Sequence, residues 1–327
     1  MITEADLLIR GATVFDGLGA PGRITDVAVA GDHILAVGAW HAGARETVEA
    51  SGLALMPGIV DVHTHYDAQV TWDPTMSPSP ALGVTTALIG NCGFGIAPCP
   101  APLRETMLRN LSVVEGMDLD ALLAGTRWDF ETFPEYMAFL RRCGPALNVG
   151  VFAGHSTIRT AVMGDAASER DTPTDSELDR MAQLVREAMD AGAVGFASSF
   201  SPNHFGYGGR PMPSTIASKE ELGVLVRAMA EGDRGVFMMA TGSRFTPDDM
   251  ESLARETGRP MFISTVSAMY DRAAPGRAMT YYERCAAAIG RGHEVYMEAS
   301  CQPLSFDFTL RDPYLLLSHD AFDRVRV

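Results

Sequence analysis

The chain has 327 residues, 46% of them hydrophobic and 20% charged, a globular balance with enough apolar side chains for a large core, which excludes a disordered or fibrous polypeptide. A formal net charge of -15 without any run of lysine or arginine disfavours nucleic acid as a partner. The five cysteines are odd in number and widely spread, and there is neither a basic leader with an apolar core nor an apolar run of about 18 residues, so a disulfide scaffold and a membrane span are both disfavoured and a soluble, cytoplasmic protein is expected.

Residues 4–54 read as a small β unit. Short strands are expected at Leu7–Arg10, Ala12–Phe15, Ile24–Ala30 and Ile34–Val37, separated by the turn pairs Asp16-Gly17, Pro21-Gly22 and Gly31-Asp32. The rhythm changes at Pro57-Gly58, and from residue 55 onward strands alternate with helices. Thr174 and Glu177 form a capping box. Leu178, Met181, Leu184, Val185, Ala188 and Met189 make one apolar stripe, Gly192 stops the helix, and Val194–Ala197 is the next strand. Ser218 with Glu221 starts a second helix before Val236–Ala240. Thr246-Pro247 starts a third, closed by Gly258 before the strand Met261–Ser264. A fourth, around Tyr281–Ile289, leads to Val295–Ala299.

Repeated helix-then-strand units imply parallel strands joined by right-handed crossovers. Strands are expected near 57–62, 84–89, 147–152, 193–198, 235–240, 260–265 and 294–299, seven of the eight that close a (β/α)8 TIM barrel. An open doubly wound sheet is the competing α/β arrangement, but no Gly-x-Gly-x-x-Gly turn enters a helix. After Ala299, the stretch to Leu317 offers no helix followed by an apolar strand, so the barrel is expected to be incomplete and the chain truncated.

In such barrels the reactive groups sit at the C-terminal ends of the strands. The first strand, Leu-Met-Pro-Gly-Ile-Val-Asp-Val-His-Thr-His over 55–65, carries a β-branched run expected to be buried, and ends in His63 and His65. Spacing i, i+2 on a strand sends both rings to one face, about 6.6 Å apart along the backbone, within reach of a single ion. The second strand runs into Gly90-Asn91-Cys92-Gly93, whose glycines permit a tight turn that leaves a thiol at the mouth. Three donors on adjacent strands, two imidazoles and a thiol, are a candidate metal set.

Residues 55–98 carry Pro-Gly-Ile-Val-Asp-Val-His-Thr-His-Tyr-Asp, Trp-Asp-Pro, Gly-Val-Thr-Thr and Gly-Asn-Cys-Gly-Phe-Gly-Ile-Ala-Pro, and they resemble the D-aminoacylase, or N-acyl-D-amino-acid deacylase, branch of the amidohydrolases. Weaker likeness continues through Gly-His-Ser-Thr-Ile-Arg at 154–159, Val-Met-Gly at 162–164 and Gly-Phe-Ala-Ser at 195–198. The resemblance implies a metal-dependent hydrolase on a TIM barrel, with residues 1–54 forming part of a β-sandwich completed by the other chain end and 55–327 the barrel. It implies cleavage of the amide of a small-molecule N-acyl amino acid, with zinc or another divalent ion as cofactor, His63, His65 and Cys92 as metal ligands, and an oligomer as a compatible state. Cys92 takes the place that a carboxylated lysine holds in hydantoinase-like relatives. In agreement, the one lysine of this sequence, Lys219, lies at a helix start.

The sequence also departs from that pattern. The histidines that zinc-rich members carry after strands five and six are replaced by Met239-Ala240-Thr241-Gly242-Ser243-Arg244 and Ile263-Ser264-Thr265-Val266, and the strand-eight aspartate has no counterpart. Asp61 and Asp67 match no catalytic position of the family. His155 and Arg159, at the end of the third strand, and His204, in the Gly- and Pro-rich loop 202–213, are candidate substrate contacts. His33, His41, His293 and His319 read as surface residues. Two other readings compete with a linear-amide hydrolase: a catalytically inactive amidohydrolase fold, and a cyclic-amide hydrolase of hydantoinase or dihydroorotase type.

Overall fold

The β-branched and aromatic segments of the first 59 residues pair into one sheet, and the repeated helix–strand units after them build a second, larger one. The computed structural model describes residues 4–264 and 274–300. The chain divides into two units, Met1–Ile59 and Val60–Val327.

The first unit is a five-stranded sheet of β1 (Glu4–Val14), β2 (Arg23–Ala30), β3 (His33–Val37), β4 (Gly43–Glu49) and β5 (Ala54–Leu55), in the order β3-β2-β1-β4 with β5 also on β1. The hairpin pairs are antiparallel, whereas β4 and β5 lie parallel to β1. The two strands expected at 7–10 and 12–15 are one strand, irregular in register between Ile9 and Ala12. Gly11 sits in that irregularity with φ +70°, a conformation that favours glycine, and its N–H donates to Asp26 Oδ1 at 2.9 Å. Sequence periodicity missed β4 because six of its seven residues are exposed, so no alternation marks it. Ala54 and Leu55 pair with β1 and so belong to this first unit. Ala5, Leu8 and Ala28 form the small core, and the sheet also carries an apolar hollow of about 580 Å³ lined by residues such as Phe15, Val29, Ile34 and Leu55.

The second unit is a seven-stranded sheet in the order β12-β11-β10-β9-β8-β7-β6. Its strands are β6 (Ile59–Asp61), β7 (Val84–Ile89), β8 (Asn148–Gly154), β9 (Gly195–Ser199), β10 (Val236–Ala240), β11 (Met261–Ile263) and β12 (Val295–Met297). From β7 to β12 every pairing is parallel. The helices are α1 (Arg104–Val114), α2 (Leu119–Gly125), α3 (Phe133–Cys143), α4 (His155–Met163), α5 (Asp175–Ala191), α6 (Lys219–Ala230), α7 (Pro247–Thr257) and α8 (Arg277–Gly290). This is the α/β TIM-type arrangement the sequence implied, with seven strands among the described residues. The stretch searched for an eighth strand lies almost wholly outside them.

Local chemistry sets these elements. Thr174 and Glu177 cap α5 reciprocally, and Gly192 ends it at φ 102°. Of the expected stripe, Met181, Leu184, Val185, Ala188 and Met189 are buried and Leu178 is half-buried, and large buried side chains of this kind contribute roughly 1.5–3 kcal/mol each. Similar capping boxes open α3 at Thr132/Glu135 and α7 at Thr246/Asp249. One expectation fails at β6: Ile59 and Val60 are 43% and 53% exposed rather than buried, because β6 is an edge strand among the described residues.

Candidate metal centre

The C-terminal ends of β6 and β7 are locked together through one carbonyl. Leu88 O accepts from Thr64 N at 3.1 Å, from Thr64 Oγ1 at 2.7 Å and from Asn91 Nδ2 at 2.8 Å. Asn91 Nδ2 also donates to Thr64 O at 3.2 Å. The residue between the two histidines is thereby bound to the residue before the cysteine. The turn around Cys92 tolerates no side chain at Gly90, where a Cβ would lie 2.4 Å from Phe152 O, or at Gly93, where it would lie 2.8 Å from Ala197 O. Cys92 itself has φ 56° and is 4% exposed.

The ligand atoms of His63, His65 and Cys92 lie within 4.8 Å of one another. His63 Nε2 is 3.4 Å from Cys92 Sγ, and the two imidazole centroids are 5.3 Å apart. Four further polar residues surround them. Glu298, directly after β12, meets His63 Nδ1 at 2.8 Å. Glu115 Oε2, at the end of α1, is 3.4 Å from His65 Nε2. His204 accepts or donates through Nδ1 to Ser199 Oγ at 2.7 Å and packs its ring edge-on against Phe94, which in turn borders His65. Asp67 is 1% exposed.

Burial opposes charge on His63, but Cys92 and Glu298 outweigh it and push the imidazole up to about 11. Burial holds His65 well below its ordinary value, reinforced by repulsion from His63 and His204, and lowers His204 to about 4. Burial raises the Cys92 thiol, with only partial relief from His63. Glu115 and Asp67 are each pushed up to about 8 by desolvation. Two buried atoms here, His65 Nδ1 and Asp67 Oδ2, have no hydrogen-bond partner. Imidazole nitrogens, a thiol and surplus carboxyls, brought together with unmet lone pairs, are the donor set a divalent cation such as zinc satisfies. The residues therefore fit the metal implied by the sequence.

The other candidates fall elsewhere. His155 and Arg159 are fully buried. His155 meets Ser198 Oγ and Glu221 Oε1, both at 2.8 Å, while Arg159 donates to Glu221 Oε1 at 3.0 Å and to the carbonyls of Ala167, Arg170, Asp171 and Pro213. The hydrogen-bonding atoms of these two residues are engaged by the chain itself. Burial works against the charge of Glu221, yet His155 and Arg159 hold its carboxyl below the usual range. His204, by contrast, is brought beside the histidine pair. The lone lysine, Lys219, pairs with Asp249 at 2.8 Å on the surface. His33 and His41 are exposed, as expected, whereas His293 is part-buried against Glu251 at 2.7 Å, and His319 lies outside the described residues.

Thr241 directly follows β10, and Ser264 directly follows β11. Both hydroxyls are buried without a hydrogen-bond partner among the described residues. Thr265 and Val266 lie outside those residues. Sequence reasoning missed Glu115 and Glu298, which follow directly on α1 and β12 and whose approach to the histidines no local pattern marks.

With a barrel sheet whose first two strand ends bring His-x-His and a cysteine together, the class is that of a metal-dependent hydrolase fold. Residues 46–289 match the amidohydrolase family, and the chain belongs to that family. Among curated proteins it is 36% identical over 270 residues to the D-aminoacylase of Alcaligenes xylosoxydans xylosoxydans, covering 79% of this chain and 50% of that one. It is also 38% identical over 196 residues to the N-acyl-D-aspartate deacylase of the same organism, covering 60% and 36%. Among solved structures it is similar to the N-acyl-D-glutamate deacylase of Bordetella bronchiseptica, determined with zinc and a phosphonate inhibitor, at TM-score 0.72 and 28% identity over 92% of this chain and 59% of that one. The chain spans about half the length of the curated relatives it matches. Among the described residues no helix is long and apolar enough to cross a membrane.

Proposed function

We propose that His63, His65 and Cys92 hold a zinc or other divalent ion, and that the chain belongs to a metal-dependent hydrolase of linear amide C–N bonds acting on small-molecule N-acyl-D-amino acids. The observation that carries this reading is the approach of the three donor atoms to within 4.8 Å at the ends of adjacent strands, in a chain of the amidohydrolase family. When bound, such an ion polarises the scissile carbonyl and acidifies a water molecule. The chain's own residues supply the setting. His63 Nε2 and the Cys92 thiol face one point, and the Leu88 carbonyl keeps their two strand ends in register. His204 and Phe94 wall the site on the side of the loop after β9. A reducing, cytoplasmic setting is part of the same reading, because Cys92 must stay a free thiol to ligate.

Hydantoinase structures are similar at 15% identity and TM-score 0.54, a likeness of fold alone, so the cyclic-amide reading gains no support from them. The test is elemental analysis of the purified chain and of its His63→Ala and Cys92→Ala variants, followed by assay of N-acetyl-D- and N-acetyl-L-amino acids with zinc supplied. Wild type is expected to retain about one divalent ion per chain, both variants to lose most of it, and any turnover to favour the D series. Equal metal in all three proteins would remove the site. Equal turnover of both enantiomers, or turnover of cyclic amides only, would remove the substrate class.

A further inference from the structure

We propose that Glu298 is a positioning residue of the metal centre, fixing the imidazole of His63 so that its Nε2 is presented to the ion. This rests on the metal-site reading above and adds a group that matches none of the expected ligands. Glu298 lies 235 residues from His63 in the chain, at the opposite edge of the seven-stranded sheet. Its position is set by the ladder: the Glu298 N–H donates to Ile263 O at 2.8 Å, one residue beyond the last pair of β12 with β11. From there the carboxylate reaches across to the residue two past the end of β6.

The two ring nitrogens of His63 have different neighbours. Nδ1 is 2.8 Å from Glu298 Oε2, and Nε2 is 3.4 Å from Cys92 Sγ. A carboxylate accepts only, so the nitrogen facing it, Nδ1, carries a hydrogen, and Nε2, facing the thiol, is the nitrogen from which an arriving ion would displace a proton to take the lone pair. Both side chains are shielded, His63 14% and Glu298 16% exposed, so water competes poorly for this bond. A carboxylate–histidine pair of this kind orients a metal-ligating ring and raises its basicity, and its loss usually weakens metal binding by about 10–100-fold. Glu298 touches the far nitrogen of His63 and acts through the ring.

The bond also ties one sheet edge to the other, so a purely mechanical role must be separated from a positioning one. Zinc affinity is to be measured by competition with a chromophoric chelator for wild type, Glu298→Ala, Glu298→Gln and His63→Ala, with the melting temperature of each metal-free protein recorded alongside. The expected result is a loss of zinc affinity of about 10–100-fold in Glu298→Ala. Rescue to within about threefold is expected in Glu298→Gln, whose side-chain carbonyl still accepts from Nδ1–H. In the zinc-loaded wild type the Nδ1 proton of His63 should appear as a slowly exchanging, downfield NMR signal that Glu298→Ala loses. A Glu298→Ala protein that melts lower when metal-free yet binds zinc within threefold of wild type would overturn the proposal and leave only a strap between edges. If Glu298→Ala does not fold, Glu298→Gln decides alone: wild-type affinity with the NMR signal kept supports the proposal, and the signal lost at unchanged affinity overturns it. A wild-type chain that binds no zinc, like His63→Ala, would overturn the metal site itself and this inference with it.

Discussion

Removing the Glu221 carboxylate should be among the most damaging single changes in the barrel, although Glu221 lies at a helix start where a glutamate is ordinarily exposed. Its Oε1 accepts from both His155 Nε2 at 2.8 Å and Arg159 Nε at 3.0 Å, and the side chains of all three residues are at most 1% exposed. The other Arg159 donors end on four backbone carbonyls, which satisfy geometry without supplying a neutralising charge. Glu221→Ala would leave a guanidinium in the core with no contacting carboxylate, a situation that costs about 3–5 kcal/mol. For a unit of this size that corresponds to a melting point lowered on the order of 10 °C. Glu221→Gln keeps an acceptor at Oε1 and removes only the charge, so its loss should be smaller. Thermal and urea unfolding followed by circular dichroism measure both. A Glu221→Ala protein melting within about 2 °C of wild type would show that the carbonyls alone hold Arg159, and the ion-pair account would fail.

Gly90→Ala should destabilise by at least about 1–2 kcal/mol from the positive φ alone, and more from the 2.4 Å approach of its Cβ to Phe152 O, read as a lower urea midpoint with weakened zinc retention. An unchanged midpoint would mean the turn relaxes freely. Glu251, hydrogen-bonded first by Arg291 and then by His293, has its carboxyl lowered to about 2. Its contribution is therefore complete above the unfolded value near 4.5 and is lost as pH falls through about 2. Between those limits Glu251→Gln should lose less stability than wild type on acidification, and parallel pH–stability curves would contradict the linkage.

How much of this was legible in the sequence depended on whether the signal was local. His63 and His65 alternate along a strand, and Gly90 and Gly93 bracket a cysteine, so spacing alone placed three donors together. The cap at Thr174 was legible for the same reason, since its partner Glu177 lies within one turn, and Thr246-Pro247 marked the start of α7. Glu298 meets His63 from 235 residues away, a pairing between residues beside the two edges of the sheet that no window of sequence contains. The Glu221 partnership of His155 and Arg159 was not legible, because a histidine and an arginine after a strand read alike whether they face a ligand or a buried carboxylate. The discriminating sign lay in α6, where Glu221 adjoins Leu222 and precedes Leu225 and Val226 on a buried face.

The left-handed backbone of Cys92 has one more consequence. A side chain other than glycine, asparagine or aspartate at φ 56° carries roughly 1–2 kcal/mol of steric cost. Of all replacements at this position, glycine would relax the turn most, and it would also delete the thiol. Relief of the backbone and loss of the buried side chain therefore pull residue 92 in opposite directions, since Cys92 is part of the main core and its removal would leave a gap there.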